Sequence, residues 1–361
     1  MKILHVCADP GISLDGSKGA SVHLRSIASA FADQHQVVVV VRRRSDIDVP
    51  FVVDSLEDDA PLAAVVDRHG APDVIYERYS LGHVDGLELA RRTGCPFILE
   101  VNSPLVAEAN RHRPGTVSAG DLDTERRLFR EADLVVAVST PLRDHVASVR
   151  GNRPLTVEHN GFDPALFVGD VERDEAPTVG FLGHPKPWHG ADALPGVLAQ
   201  LRQRGHDARL LVVGGGPGIE PMLKAAQVNG VVDHIEVTGP LGQADAIASI
   251  RRAWVGLAPY PAEEFFYFSP IKIVEYLAAG IPVVSTRLGD VPDLVAGGGK
   301  VVAADDPAAF VGAVDALLRD PMEREVLGSH GRARMAREQT WRAIAHRTIA
   351  AVSEFTRAEK T

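Results

Sequence analysis

The sequence predicts a doubly wound α/β fold laid out twice, as two Rossmann-like domains facing each other across a cleft. Three observations lead there. Short β-branched runs alternate with amphipathic segments from end to end of the 361 residues, which is how parallel sheets with crossover helices read. The run Val37-Val38-Val39-Val40-Val41 is continuously apolar, as a strand covered on both faces must be. The alternation pauses once, over 160–177, and then restarts; a chain of this length ordinarily divides into two domains.

In the first half, strands are expected at 2–7, 36–41, 73–76, 97–101, 134–138 and 155–158. Helical patterns are clearest at 20–32, 84–92, 122–131 and 141–149. Turn chemistry at Asn160-Gly161-Phe162-Asp163-Pro164 and the acidic, Pro-bounded stretch 169–177 interrupt the pattern. Strands are then expected at 178–182, 209–213, 234–238, 255–258, 282–285 and 300–302. The expected domains are therefore 1–168 and 169–340. Residues 341–361 form a helical tail with no strand after it, which must dock on something already built.

Composition narrows the function classes. Hydrophobic residues make up 45% and charged residues 24%, a globular balance rather than a disordered one. The net charge is −10 and neither half carries a basic excess, so a general nucleic-acid binder is not expected. Cys7 and Cys95 are the two cysteines, too few for a disulfide framework or a Cys-based zinc site. The amino-terminal apolar run is too short for a signal peptide, and no stretch approaches the roughly 20 apolar residues of a membrane span. The chain reads as cytoplasmic, with its oligomeric state open.

In doubly wound sheets the functional residues gather at the carboxyl ends of the strands, and five stretches lie there. Asp9–Gly19 (DPGISLDGSKG) follows the first strand and enters a helix. Its Gly16 and Gly19 suit a helix-terminus anion site as well as they suit a plain flexible loop. Glu100 and Asn102 close a buried-looking strand, as site residues or, for Asn102, as a cap. Beyond them Arg111, Arg113, Arg126, Arg127 and Arg130 make either a solvated helix face or a dock for an acidic acceptor. The loop Gly183-His184-Pro185-Lys186-Pro187-Trp188-His189-Gly190 crowds three potential cations and an aromatic where phosphate would sit. Gly214–Gly218 (GGGPG) resembles a Rossmann turn, but it follows the second strand and Pro217 stands where the helix should open. A nicotinamide site is therefore disfavoured, and Gly215 offers backbone amides to a nucleotide instead. The fifth stretch, Tyr267-Phe268-Ser269-Pro270-Ile271-Lys272-Ile273-Val274-Glu275, opens a short helix. Ser269 reads as its N-cap, Pro270 as its first residue and Gly280 as its stop. Lys272 in the first turn opposes the helix dipole unless an anion binds there. Glu275 is either its intrahelical partner or an acceptor for ribose hydroxyls.

These segments resemble those of the retaining family 4 glycosyltransferases, which have the GT-B fold. The resemblance runs through DGSKGASVHLRSIASAF, VEHNGFDPALF, VGFLGHPKPWHG, LLVVGGGPG and FSPIKIVEYLAAGIPVVSTRLGDVPDLV, and so covers essentially the whole chain. It implies transfer of a sugar from a nucleotide-sugar donor, UDP- or GDP-linked, to a small molecule or glycan precursor, with no cofactor and no metal. Glu275 would be the ribose-binding second acid of the family's Glu-x7-Glu motif. Ser269, Pro270 and Ile271 would give backbone contacts to the diphosphate, with Tyr267 and Phe268 beside the donor. Gly16, Gly19 and Gly183 would approach the diphosphate and sugar, and Pro240 and Leu241 would flank the base.

Three departures accompany the resemblance. Tyr267 stands where the first acid of that motif falls, with Glu263 and Glu264 nearby. His184 and His189 stand where the family carries Arg and Lys, leaving Lys186 and Lys272 as the cations. Asn102 stands where the family has an active-site histidine. A retaining reaction tolerates that last change, because the leaving diphosphate takes the acceptor's proton while the protein positions substrates and stabilises phosphate charge. Asn102, Glu100, Lys186 and Lys272 are thus the expected catalytic set. A sugar-nucleotide epimerase of the same fold and a non-catalytic nucleotide-sugar binder are the alternatives.

Overall fold

In the computed structural model, which describes residues 1–358 except 17, 44, 46, 57–60 and 171, the chain divides into two units. The first comprises Met1–Gly161, Tyr267–Ser269 and the helix from Trp341; the second comprises Phe162–Phe266 and Pro270–Thr340. The change of unit thus falls at 161/162, ahead of the boundary expected at 168/169.

The first unit holds β1 (Lys2–Cys7), α1 (Gly19–Ala32), β2 (Gln36–Val41), β3 (Val52–Ser55), α2 (Ala63–His69), β4 (Val74–Arg78) and α3 (Asp85–Thr93). It continues with β5 (Phe97–Val101), α4 (Leu105–His112), α5 (Ala119–Glu131), β6 (Leu134–Ala137), α6 (Thr140–Arg150) and β7 (Leu155–Val157). Its strands form one parallel sheet in the order β3-β2-β1-β4-β5-β6-β7. The valine run shows why. Val38 and Val40 enter a core layer with Leu87, Phe97, Leu128 and Phe129, while Val37, Val39 and Val41 enter the opposite layer with Leu24, Ile27 and Phe31. Both faces are covered, so alternation by polarity is lost.

The second unit holds β8 (Thr178–Leu182), α7 (Leu194–Gln203), β9 (Arg209–Val213), α8 (Ile219–Val228), β10 (Ile235–Val237), α9 (Gln243–Ile250) and β11 (Val255–Ala258). After it come α10 (Ile271–Ala278), β12 (Val283–Thr286), α11 (Val291–Val295), β13 (Gly299–Val302), α12 (Pro307–Arg319) and α13 (Pro321–Glu338). The sheet order is β10-β9-β8-β11-β12-β13, again parallel. The strand order reverses between β1 and β4 in the first unit and between β8 and β11 in the second, and these are the crevices doubly wound sheets use. The last helix, α14 (Trp341–Ala358), packs Trp341, Ile344, Ala345 and Val352 into the layer of the first unit formed with α1. Arg347 on it grips Glu158 at 2.7 and 3.0 Å.

Each expected strand is present within about two residues of the expected ends. Strand β3 and helix α2 were not expected, because β3 is a short edge strand with Val52 exposed and Asp54 in its middle. A second difference concerns α10. Its N-cap is Pro270, with no side-chain cap, because the Ser269 hydroxyl is taken by the Asn160 amide at 2.8 Å. Ser269 is therefore not the N-cap, and Lys272 is the second helical residue. The expected stop at Gly280 is present, with φ at +67°.

One packing contact sets the position of α10. Tyr276 is fully buried, and its hydroxyl accepts a hydrogen bond from Leu182 N at the end of β8, 2.7 Å away. A Cβ at Gly256 in β11 would lie 2.6 Å from the Tyr276 ring, so glycine there makes room for the ring. Gly256→Ala should therefore overpack this core and lower stability by about 1–3 kcal/mol, read as a lower denaturant midpoint. An unchanged midpoint would show that the ring has room to move.

Candidate active site

On the second unit, the loops after β8, β9 and β10 pack against one another. Gly214 has φ at +133°, and a Cβ there would lie 2.4 Å from Gly183 O. A Cβ at Gly215 would lie 2.8 Å from the Pro240 ring. Gly183, Gly215 and Pro240 therefore come together as expected candidates; close packing accounts for Gly214 and Gly215, and a φ of +112° for Gly183.

Lys272 lies one turn before Tyr276 on α10 and shares its face. Its Nζ is enclosed and has no hydrogen-bond partner. The ammonium sits 3.9 Å from the centre of the Phe181 ring and 5.9 Å from that of Tyr260. Burial pulls its pKa down to about 7, against the charge of Glu275. No ion pair joins Lys272 to Glu275 within 4 Å, so the intrahelical pairing is not made. Burial instead pushes the Glu275 carboxyl up to about 7, opposed by a hydrogen bond from Gln243 and by the Lys272 charge. Burial thus pushes both groups, one turn apart on the same helix, toward their neutral forms.

His189 does not act as a further cation. His189 donates its Nδ1–H to His184 O at 2.8 Å. Burial, with the Lys272 charge second, lowers its pKa to about 3. The ring is neutral near pH 7 and orders the loop. Lys186 is exposed, its Nζ 4.9 Å from the centre of the Trp188 ring.

On the first unit, Glu100 at the end of β5 is 2% exposed and saturated with partners. Tyr76 donates its hydroxyl at 2.5 Å and Arg78 an N–H at 3.3 Å, and His23 Nε2 lies 2.8 Å away. Burial alone would raise this carboxyl, but His23, Arg78 and Tyr76 together hold it well below the usual carboxylate range. His23 Nδ1 lies 2.6 Å from Asn160 Oδ1. Asn160 Nδ2 in turn donates to Ser269 O at 2.6 Å. A continuous polar chain thus runs from Glu100 to Ser269. Asn102, the next candidate along, keeps a buried Oδ1 with no partner.

Tyr267 is half-buried. Its hydroxyl donates to Glu108 Oε2 at 2.8 Å, and Ser103 Oγ donates to the same oxygen. Ser139 Oγ donates to Tyr267 O at 2.6 Å. The Phe268 ring stacks on that of Tyr267 with centroids 4.3 Å apart. Gly16 faces Ser21, and its carbonyl accepts from Arg25 at 3.4 Å; exposed Gly19 opens α1, whose start has no side-chain cap. Pro270 is buried and Ile271 half-buried. Glu108, His23, Asn160, Phe181 and Tyr260 are site neighbours that sequence reasoning missed. Glu108 lies 159 residues before Tyr267, and no local pattern signals such a pair; Asn160 lies in a stretch that read only as a turn.

The remaining stretches resolve locally. Asp121 closes a capping box with Ser118 at the start of α5, so Asp121-Leu122-Asp123 is helix-end chemistry. Arg127 pairs with Glu88 and Glu131, as on a solvated helix face. Among the described residues, no group of three or more His, Cys, Asp or Glu side chains is placed to hold a metal ion, and no helix is long and apolar enough to cross a membrane.

Comparison with known proteins agrees with this architecture. Residues 17–166 match the model of Glycosyltransferase Family 4, and residues 176–320 match that of Glycosyl transferases group 1. The GDP-mannose-dependent alpha-(1-6)-phosphatidylinositol monomannoside mannosyltransferase of Mycolicibacterium smegmatis is 31% identical over 262 residues, 68% of this chain and 66% of the relative. The chain thus spans just under two thirds of that relative's length. Among solved structures, sucrose-phosphate synthase from Thermosynechococcus elongatus superposes with a TM-score of 0.77 at 18% identity, covering 99% of both chains. Anabaena Alr3699/HepE, in complex with UDP and glucose, gives 0.75 at 19% identity, covering 98% of this chain and 100% of that one. The fold is the GT-B fold of these enzymes, built from two parallel-sheet, Rossmann-like domains. With both family models matched in order along it, the chain belongs to the family 4 glycosyltransferases.

Proposed function

We propose that the protein transfers a sugar from a UDP- or GDP-linked donor to a small-molecule or glycan-precursor acceptor, with retention at the anomeric carbon and without a metal ion or cofactor. One observation carries the reading: the enclosed, unpartnered Lys272 ammonium at the start of α10. A buried cation without a partner is costly, and a cation in the first helical turn opposes the dipole. A bound diphosphate removes both penalties at once. The mannosyltransferase relative, named for its GDP-mannose donor, supports a nucleotide-sugar donor.

The chain's groups suit that chemistry. On the second unit, Lys272 and the backbone amides from Pro270 onward in the chain, with Ile271 first, take phosphate oxygens. Gly183 and Gly215 offer backbone, His184 faces the same loops, and Glu275 takes the ribose hydroxyls beside Pro240 and Leu241. On the first unit, the amides that begin α1 after Gly16 and Gly19 attract the developing phosphate charge. Asn102 Oδ1 accepts a sugar hydroxyl, and Tyr267 with Phe268 shapes the pocket. Glu100 is a positioning residue, because its oxygens are already occupied. In the reaction the bond from the anomeric carbon to the diphosphate oxygen breaks and the acceptor oxygen bonds the same face. The acceptor proton passes to the departing diphosphate. Lys186, exposed beside Trp188, serves steering rather than contact. Two unpaired thiols, Cys7 and Cys95, suit a reducing cytoplasm.

The reading is tested by incubating the protein with a panel of UDP- and GDP-sugars and candidate acceptors in the presence of EDTA, following the anomeric proton by NMR. Retention with EDTA-insensitive release of nucleoside diphosphate is expected. Epimerised sugar formed without acceptor would establish the epimerase instead, and binding without turnover would leave a non-catalytic binder.

Two substitutions separate the roles. Lys272→Met should weaken nucleoside diphosphate binding by about tenfold to a hundredfold, the value of a charged hydrogen bond, and spare nucleoside binding. Because the Lys272 pKa is lowered to about 7, this group lets the ligand-free protein gain stability as pH rises from about 7 toward the ordinary lysine range, and its full cost is felt below 7. At pH 6 the ligand-free Lys272→Met protein should therefore melt at or above the wild-type Tm. A lower Tm with diphosphate preference intact would remove Lys272 from the site. Glu275→Gln should weaken nucleoside and nucleoside diphosphate binding alike, by about tenfold or more. Unchanged affinity for both in calorimetry would rule out the ribose role.

A further inference from the structure

A second cationic site lies on the second unit, at the far end of α10 from Lys272. A cavity of about 310 Å³ is lined there by Arg173, Arg251 and Arg332, with Phe162 and Phe167 forming an apolar wall and Ala279 beneath. The two phenylalanine rings meet edge to face, with centroids 5.2 Å apart. Lys272 opens the helix and this cavity lies at its close, about a helix length away.

The charge balance is unusual. None of the three guanidinium groups has a carboxylate within 4 Å among the described residues, and Asp170 is the single acidic residue in the lining. The neighbouring carboxylates are taken elsewhere, since Arg252 holds both Asp174 and Glu236. Burial, then the charges of Arg332, Arg251 and Arg324, pull the Arg173 pKa down to about 10. Burial and the Arg332 charge likewise lower that of Arg251, opposed by the Asp170 charge. Three cations thus face one space and repel one another.

Their fixed hydrogen bonds leave donors over. Arg173 binds the carbonyls of Arg251, Ala253 and Gly280. Arg251 binds those of Val168 and Gly169, and Arg332 binds that of Ala279 at 3.0 Å. A guanidinium carries five N–H donors, so each keeps some free. The carbonyl contacts hold the forks rigid, and rigid forks of this kind suit the bidentate recognition of phosphate. A Cβ at Gly280 would lie 2.6 Å from an Arg332 nitrogen, so glycine there also lets Arg332 reach the cavity.

We propose that this cavity is a second anion site, distinct from the donor site, which binds a phosphomonoester through Arg173, Arg251 and Arg332. The phosphate relieves the repulsion among the three cations, and the phenylalanine wall takes the apolar face of whatever carries it.

Inorganic phosphate is the probe, added to full-length Lys272→Met protein so that the donor site is silent, with chloride-matched buffer as reference. Calorimetry should show one phosphate site, weakened at least tenfold by Arg332→Gln and by Arg251→Gln, while phenyl phosphate binds more tightly than inorganic phosphate. Arg332 spends one contact on a helix end and lies on the exposed face of α13, so Arg332→Gln keeps the fold even where Arg173→Gln does not. Circular dichroism and Tm verify that it does. Absence of phosphate binding in the Lys272→Met protein would overturn the proposal. So would phosphate binding indifferent to both arginine substitutions, which would leave the arginines as caps on helix carbonyls. Neither result bears on nucleoside diphosphate binding by the wild type, so the two sites stand or fall separately.

Discussion

A single enclosed ammonium, that of Lys272, is the constraint around which the second unit is arranged. It sits over the Phe181 ring at 3.9 Å with no hydrogen-bond partner, a position no folded domain adopts for stability alone. The rest follows from holding it there. Gly256 leaves room for Tyr276, Tyr276 ties α10 to the end of β8, and Lys272 is carried one turn ahead on the same helix face. His189, which a second positive charge would make repulsive, stays neutral and bonds His184 O. In the proposed donor site an arriving anion recovers the stability lost at this point, which would give ligand affinity and ligand-free instability one physical origin.

The first unit solves a different problem. The charged groups around Glu100 are used internally. Glu100 is saturated by Tyr76, Arg78 and His23, and His23 continues through Asn160 to Ser269. Tyr267 is held by Glu108, which Ser103 also bonds. A carboxylate is therefore present beside Tyr267 even though that position itself carries none. Asn102 Oδ1 is buried with no partner, and it can accept a hydroxyl but cannot remove a proton. With Glu100 and Glu108 tied down and the Asn102 oxygen open, this part of the unit suits the positioning of a sugar better than acid–base work on it.

Most of the fold was legible because it rests on local signals: apolar runs such as Val37–Val41, Gly280 as a helix stop, and the restart of the alternation after the acidic stretch. Strand β3 was not, since an exposed edge strand carrying Asp54 lacks the apolar run that marks its neighbours. Of the site, Lys272 and Glu275 stood out because a cation in a first helical turn is locally unfavourable. The partners of other residues did not. Ser269 has the chemistry of an N-cap, yet its hydroxyl goes to an amide 109 residues away. His184 and His189 read as two cations, and only burial next to Lys272 makes His189 neutral. The arginine cavity was invisible for the same reason, because Arg173 ahead of β8, Arg251 at the end of α9 and Arg332 on α13 are far apart in the sequence and meet in the folded unit.

The account stands most directly on the protonation of Lys272, which can be followed by nitrogen-15 NMR of its side chain, assigned by comparison with the Lys272→Met protein. In the free protein its midpoint should lie near pH 7. With saturating nucleoside diphosphate it should move upward by about one pH unit or more, as the anion favours the charged form. A midpoint in the ordinary lysine range in the free protein, or one that nucleoside diphosphate leaves unmoved, would contradict the claim that this ammonium is held in reserve for phosphate.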